Sequence, residues 1–365
     1  MLPSFQNRIC SIDILRGFDM LMIVLADQFF SKLNKGVGSD FTAALARQFS
    51  HPEWLGFRFY DIIMPLFLFV VGAVIPFSAS KYTQNAVNKK LLFLKLTRRF
   101  FILFVLGWIV QGNLLDFDLS KFKIFSNTLQ AIAVGYVFTT ISCVYLKPIQ
   151  RYFLFAACLL VYALLLTLPI IPDTGRSTLI PGANFALYVD HLIFGPFDDG
   201  KQYTWFLSSL GFTATTLSGL FAGELIKIQK DKVKVVKTLL IYGAIAIGLG
   251  LLGNIWHPVV KKIWSSTFVL VSSGVCYFLM AAFYWIIDVK QKHKWAFFLK
   301  VIGMNAITAY VITHVLPFPK IAGFILYGLA PYTGNYYELV TVIGGFALLY
   351  LLLRYMYKNK TFIKV

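Results

Sequence analysis

The sequence predicts an all-α fold, a polytopic transmembrane helical bundle of about ten spans. Three observations predict it. Hydrophobic residues make up 58% of the 365 positions, charged residues only 14%, and aromatic residues 17%, with a mean hydropathy of +0.71. Soluble domains carry about a quarter charged residues and under half apolar ones. Apolar runs of span length recur along the whole chain, and the basic residues fall between them. This composition excludes a disulfide-stapled secreted scaffold, a disordered tail and an ordinary soluble enzyme.

A helix needs about 20 apolar residues to cross a bilayer. Runs that meet this length lie at roughly 12–31, 59–79, 96–113, 127–146, 152–171, 204–226, 237–254, 265–287, 299–317 and 336–357. A shorter apolar piece, 319–331, ends at Pro331 and Gly334 and reads as re-entrant or interfacial. Eleven spans is the rival count. The first run is interrupted by Asp19 and Asp27, and its small-residue triplet Ala44-Leu45-Ala46 lies far downstream. It reads as a retained helix, not a cleaved signal.

The charge is +18, from 34 basic and 16 acidic residues. No basic face forms, so no nucleic-acid partner is expected. With both chain ends cytoplasmic, 23 of the 34 basic residues fall inside, including those of segments 80–99, 227–237 and 290–300. Acidic residues gather outside, among them Asp40, Glu53, Asp116, Asp118, Asp173, Asp190, Asp198, Asp199 and Glu338. This asymmetry orients the spans, and an eleventh span would put the basic C-terminal tail on the wrong side. The chain is expected to be one integral membrane domain, 1–365, with long outer loops at 32–58 and 172–203 that shape or cover a site. The four cysteines, Cys10, Cys143, Cys158 and Cys276, show no metal spacing and read as small buried side chains; no metal is expected.

Ionisable groups inside lipid are costly unless paired or wet, which makes each a functional candidate. Arg16 with Asp19 and Glu224 with Lys227 are spaced i,i+3 and read as internal ion pairs. Asp27, at the outer end of the first run, has no basic residue three or four positions away, and Asp61 opens the second run from the same side. The loop between them carries His51 beside the interfacial aromatics Trp54, Phe57, Phe59 and Tyr60. A carboxylate can orient an imidazole and raise its basicity, so this trio is the candidate catalytic group, with a solvated histidine and a capping carboxylate as the simpler alternatives. His314 lies toward the outer side, while Asn127, Gln130 and Asn305 sit at or within helix ends, where amides bond neighbouring helices or line a cavity.

At this point the residues resemble a family. Ser11-Ile-Asp-Ile-Leu-Arg-Gly-Phe18 is similar to the opening of two groups of membrane acyltransferases. The next series, His51-x-x-Trp54-x-Gly56, Asp61, Pro65 and Gly72, resembles the heparan-alpha-glucosaminide N-acetyltransferase family and its bacterial relatives of the domain-of-unknown-function type. Leu129-Gln130, Asp190, Gly223, Pro258-Val259-x-Lys261-x-x-Trp264-Ser265, Gly303-Met304-Asn305 and Tyr310 extend the likeness along nearly the whole chain.

The resemblance implies transfer of an acetyl group from cytosolic acetyl-CoA to the amino group of a glucosamine-type sugar across a bacterial inner membrane. His51 matches the histidine held essential in the family. Asp27 stands where the human-type enzyme has an Asn, which keeps an acceptor and removes the amide donor; His314 falls one residue later than its counterpart. The family's additional N-terminal segment and first helix have no match here, in keeping with ten spans. Trp54, Lys261, Gln130, Asn305 and His314 are carried over as residues on the substrate or cofactor side, joined by Asn127 from the helix-end amides. The basic cluster ending in Arg98 and Arg99 suits the CoA phosphates or merely obeys the inside-positive charge rule. Membrane lipids and a second copy of the chain complete the expected partners. Rival readings are an O-acyltransferase of cell-surface polysaccharide, which usually places a histidine where this chain has Asp27, and a proton-coupled transporter.

Overall fold

The computed structural model describes residues 9–79, 86–112, 114, 118–172, 175–200 and 203–362. Arg8, Lys81, Asp116, Asp173 and Lys364, all counted in the charge asymmetry, lie outside the described residues. The fold is helical almost throughout, with one two-residue hairpin pairing Ile170 with Arg176 and Ile171 with Gly175.

In chain order the helices are α1 (Cys10–Leu21), α2 (Asp27–Val37), α3 (Asp40–Gln48), α4 (Ile63–Ala79), α5 (Ala86–Gln111), α6 (Thr128–Tyr145), α7 (Pro148–Thr167), α8 (Phe185–Phe194), α9 (Ser209–Ile228), α10 (Lys232–Gly253), α11 (Ser266–Tyr284), α12 (Phe297–Met304), α13 (Ala306–Val315), α14 (Phe318–Ile325), α15 (Ala330–Thr333) and α16 (Tyr337–Lys358). Each of the ten apolar runs therefore falls mainly on helix. Among the described residues, six helices are long and apolar enough to cross a membrane: Phe59–Ala79, Thr128–Tyr145, Pro148–Thr167, Lys232–Gly253, Ser266–Val289 and Tyr327–Lys358. A seventh forms if α12 and α13, bent by 74° at Asn305, count as one broken span. The remaining runs depart from the uniform apolar span for visible reasons. A π-turn at Met22–Ala26 joins α1 to α2, α5 carries Lys89, Lys90, Lys95, Arg98 and Arg99 in its first half, and α9 is rich in Thr, Ser and Gly. The short apolar piece expected at 319–331 becomes α14 and a 3₁₀ turn.

Contacts divide the chain into two compact units. The first comprises the chain up to His51, Asp231–Leu240 and the chain from Phe278 onward; the second comprises Pro52–Lys230 and Ile241–Tyr277. In the first unit α1 packs on α12 at paired glycines. A Cβ on Gly17 would collide with the Leu299 carbonyl, and one on Gly303 with the Asp13 carbonyl. Gly345 likewise brings α16 onto the start of α14, and the Tyr337 hydroxyl donates to the Gly323 carbonyl at 2.8 Å.

In the second unit the central contact is α4 on α9. Gly219 and Gly223, four residues apart on α9, meet the carbonyls of Phe69 and Ala73, and Gly72 meets the carbonyl of Thr216. Small residues at this spacing let two backbones touch where lipid supplies no hydrophobic drive between helices. Around this seam Leu66, Leu68, Phe69, Phe212, Leu217 and Leu220 are fully buried. The cysteines are all free, with Cys158 and Cys276 buried.

Gly219→Leu is expected to force α4 and α9 apart, at a cost of about 1–3 kcal/mol or more. A lowered thermal midpoint of the purified protein in lipid nanodiscs checks this; an unchanged midpoint would remove the seam as the organising contact of its unit.

Candidate functional site

In the first unit, a helical hairpin carries Asp27 and His51. Gly38 ends α2 in the left-handed region at φ 67° and donates to the Asn34 carbonyl at 2.8 Å. Ser39 then caps α3, and the Thr42 hydroxyl reaches back to Asn34 Oδ1 at 2.9 Å. Beyond α3, Phe49 stacks on Phe30 of α2 with ring centroids 4.0 Å apart. These contacts return the chain to the start of α2, where His51 lies within electrostatic range of Asp27. Both side chains are exposed, so the imidazole is accessible, with a carboxylate within electrostatic range.

In the second unit, Asp61 is fully buried and forms an ion pair with Lys261, Oδ1 to Nζ, at 3.4 Å. Asp61 sits in the 3₁₀ turn Phe59–Ile62, where its Oδ2 accepts from the Arg58 amide at 2.8 Å. Lys261 comes from the connection between α10 and α11. That connection is pinned by a bridge of Val260 to Leu55 and by the Tyr162 hydroxyl, which donates to the Ile263 carbonyl. The turn closes through a Trp264 amide to Lys261 carbonyl bond of 2.9 Å, with Trp264 in the left-handed region at φ 50°. A buried tryptophan in that region costs about 1–3 kcal/mol, and such residues cluster at functional sites. Burial pulls the Lys261 ammonium down to about 8, with the Asp61 carboxylate opposing.

Other aromatic and charged groups surround this pair in the same unit. The Trp54 indole donates to the Leu179 carbonyl at 2.7 Å. Lys262 Nζ stands 5.9 Å from the Trp54 ring centre and 6.0 Å from that of Tyr203. Tyr203 lies within electrostatic range of Asp61.

The remaining candidates take varied places. Asn127 and Gln130 form a reciprocal cap on α6: Asn127 Oδ1 accepts from the Leu129 amide at 2.9 Å, and Gln130 Oε1 accepts from the Ser126 and Asn127 amides at 2.9 and 3.1 Å. Gln130 Nε2 donates to the Ile124 carbonyl at 3.0 Å. Both amides are thus engaged in ordering the 124–130 turn. Arg98 is exposed, while Arg99 lays its guanidinium 3.9 Å from the centre of the Tyr136 ring. Asn305 is buried at the α12–α13 break, and neither of its amide atoms has a hydrogen-bond partner among the described residues. His314 is exposed, with Nδ1 2.7 Å from the Tyr310 carbonyl; a proton on Nδ1 would donate to that carbonyl and leave Nε2 as the accepting nitrogen.

Two expected ion pairs are replaced. Arg16 bridges to Asp13 at 3.7 Å in place of Asp19, and both Asp19 oxygens lack a hydrogen-bond partner among the described residues. Glu224 pairs with Arg151 in place of Lys227. Arg151 also donates to the carbonyls of Leu146 and Cys143 at 3.0 and 2.9 Å, which fixes its position, while Lys227 donates to the Pro76 carbonyl at 2.6 Å. Spacing along one helix identifies a neighbour but not the competing partner on the next helix. The bare residues also did not pair Lys261 with Asp61, because 200 positions separate them; only the ordered motifs flagged both. Asp190 was read as an outer-loop acid. It is buried, accepts from the Trp205 and Phe206 amides at 2.7 and 2.9 Å, and is raised by burial to about 6.

The Lys261 shift sets the sign of a pH effect. A folded-state value near 8, below the unfolded value of about 10.4, means the unfolded chain binds more protons between those limits. Stability therefore rises with pH across that window. The thermal midpoint of the wild type should climb from pH 8 to 10 relative to an Asp61→Asn/Lys261→Met double variant; parallel curves would deny the buried ammonium its penalty.

Comparison with known proteins places this geometry in context. The family described as Domain of unknown function (DUF5009) matches residues 8–168. Heparan-alpha-glucosaminide N-acetyltransferase of Mus musculus is 25% identical over 99% of this chain and 61% of its own length. The Homo sapiens protein of the same name is 25% identical over 85% of this chain and 53% of its own. The chain thus spans between about half and three-fifths of the length of these relatives. The likeness given by the ordered motifs is thus found again as a 25% identity to heparan-alpha-glucosaminide N-acetyltransferases over most of this chain.

Proposed function

We propose that this chain is a ten-span acetyltransferase of a bacterial inner membrane, which moves an acetyl group from cytosolic acetyl-CoA to the amine of a glucosamine-type sugar on the extracytoplasmic side. The observation that carries this reading is His51, accessible and within electrostatic range of Asp27, in a chain similar along its length to N-acetyltransferases. Segments 80–99, 227–237 and 290–300 face the cytosol in this topology, and Arg98 is available there for the CoA phosphates.

The chemistry follows from the groups. A protonated amino sugar cannot attack a thioester, so the amine first gives a proton to an imidazole. Its nitrogen lone pair then adds to the acetyl carbonyl, the C–S bond breaks, and the CoA thiolate leaves and takes the second proton that the nitrogen gives up as the amide forms. Asp27 orients the His51 ring and balances the imidazolium charge. In the alternative order the imidazole itself takes the acetyl group from the thioester and passes it to the amine. Asn305, with an unpartnered amide, is suited to hold a carbonyl oxygen. No step calls for a metal.

The test is His51→Ala in purified protein given radiolabelled acetyl-CoA and glucosamine. Transfer should fall by at least about 100-fold, with the thermal midpoint and acetyl-CoA binding kept. Normal turnover in that variant would remove His51 from the chemistry, and absence of acetyl-CoA-dependent thiol release by the wild type would sink the transferase reading.

A further inference from the structure

The second unit holds a cavity of about 790 Å³ among α5, α6, α7, α8 and α9, within the ~300–1,000 Å³ range of ligand pockets. Its wall is almost wholly hydrocarbon, with Phe104, Phe125, Phe138, Ile141, Leu154 and Leu210 prominent. The wall hydroxyls of Ser142, Ser209 and Thr213 donate to the carbonyls of Thr139, Trp205 and Ser209 at 2.8, 3.0 and 2.8 Å. They have no proton left for a ligand. A pantetheine arm, with two amides to satisfy, is poorly served here; an alkyl chain is well served. Phe138, Tyr145 and Phe206 of the wall are exposed at the outside of the unit, so the cavity opens sideways, where a bilayer would surround α6.

One end of this cavity connects to the buried ion pair through rings of the same unit. Phe125, on the wall, is 5.3 Å from Trp205. Trp205 is 6.3 Å from Tyr203, and Tyr203 lies within electrostatic range of Asp61. Lys262 stands over Tyr203 and Trp54 at the same end. The sequence from cavity outward is thus apolar slot, aromatic platform, cation and buried carboxylate. Lys262 and the two rings it stands over lie between slot and carboxylate, as phosphate and sugar ring lie between the hydrocarbon chain and the sugar amine of an amphiphile read from tail to head.

We propose that the acceptor is a lipid-anchored amino sugar, joined to its hydrocarbon chain through phosphate, with the chain seated in this cavity and the sugar directed toward Asp61 and Lys261. The proposal rests on the acetyltransferase reading and names its substrate class. Entry of the chain from the side leaves the sugar at the membrane surface, and burial of each methylene adds to acceptor binding.

The test uses the full chain in lipid nanodiscs with radiolabelled acetyl-CoA and two acceptors, methyl β-D-glucosaminide and dodecyl β-D-glucosaminide. The wild type should prefer the dodecyl acceptor by at least about tenfold in kcat/KM. Val137→Trp and Ile141→Trp, which fill the slot, should abolish that preference and leave the methyl rate unchanged. The variants separate seating in the cavity from simple partition into the bilayer, which they do not alter. Equal kcat/KM for the two acceptors, or a preference that survives both variants, overturns the proposal. If neither glycoside is acetylated, the transferase reading fails instead. A dodecyl glucosaminide with a diazirine at its chain end then tests the cavity without turnover: crosslinks on α6 and α7 support the seat for the chain, and crosslinks confined to other helices overturn it.

Discussion

A peptide group in hydrocarbon has no water to bond, and this constraint governs the whole chain. It makes nearly every apolar run a helix, and it makes each interruption conspicuous. Where α1 meets α2 the chain forms a π-turn; where α12 meets α13 it bends at Asn305. The same constraint explains the packing. Helices that gain little from hydrophobic burial against one another approach until backbones touch, and only glycine allows that. The pairs Gly17 with Gly303 and Gly219 and Gly223 with Phe69 and Ala73 are the result.

Polar side chains obey the constraint less locally. Arg151 lies on α7 and satisfies Glu224 of α9 together with two carbonyls at the end of α6. Lys227, one turn from Glu224, instead takes the carbonyl of Pro76 on α4. Buried charges collect the best set of partners in three dimensions, and the neighbour on the same helix is one competitor among several.

This is why the fold was more legible in the sequence than the site. Apolar periodicity, Asn127 before α6, Pro148 at the first turn of α7 and Gly38 after α2 are local signals, and each falls at an element end. His51, Asp27 and Asp61 could be singled out as polar groups at membrane level. That Phe30 stacks on Phe49 and brings His51 back to Asp27 depends on a loop conformation that no pattern records. Lys261 and Asp61 are joined only by the fold. Gln130, attractive as a buried amide, is engaged with the backbone of its own cap, because a free helix N-terminus competes with any ligand for a nearby acceptor.

The pairing of Asp61 with Lys261 is poor material for stability. Two charges removed from water regain little beyond their desolvation cost, and apolar residues of similar volume are often as stable. The turn that presents Lys261 adds a second cost in the left-handed Trp264. Two unfavourable features in one turn, beside the Trp54 and Tyr203 rings and a further lysine, are hard to account for by folding alone. They are readily accounted for by a ligand with a charge or a polar ring face, for which a fixed carboxylate and ammonium need not reorganise. In a chain with so little polar surface to offer, that turn and the His51 hairpin are where the proposed chemistry would draw its groups.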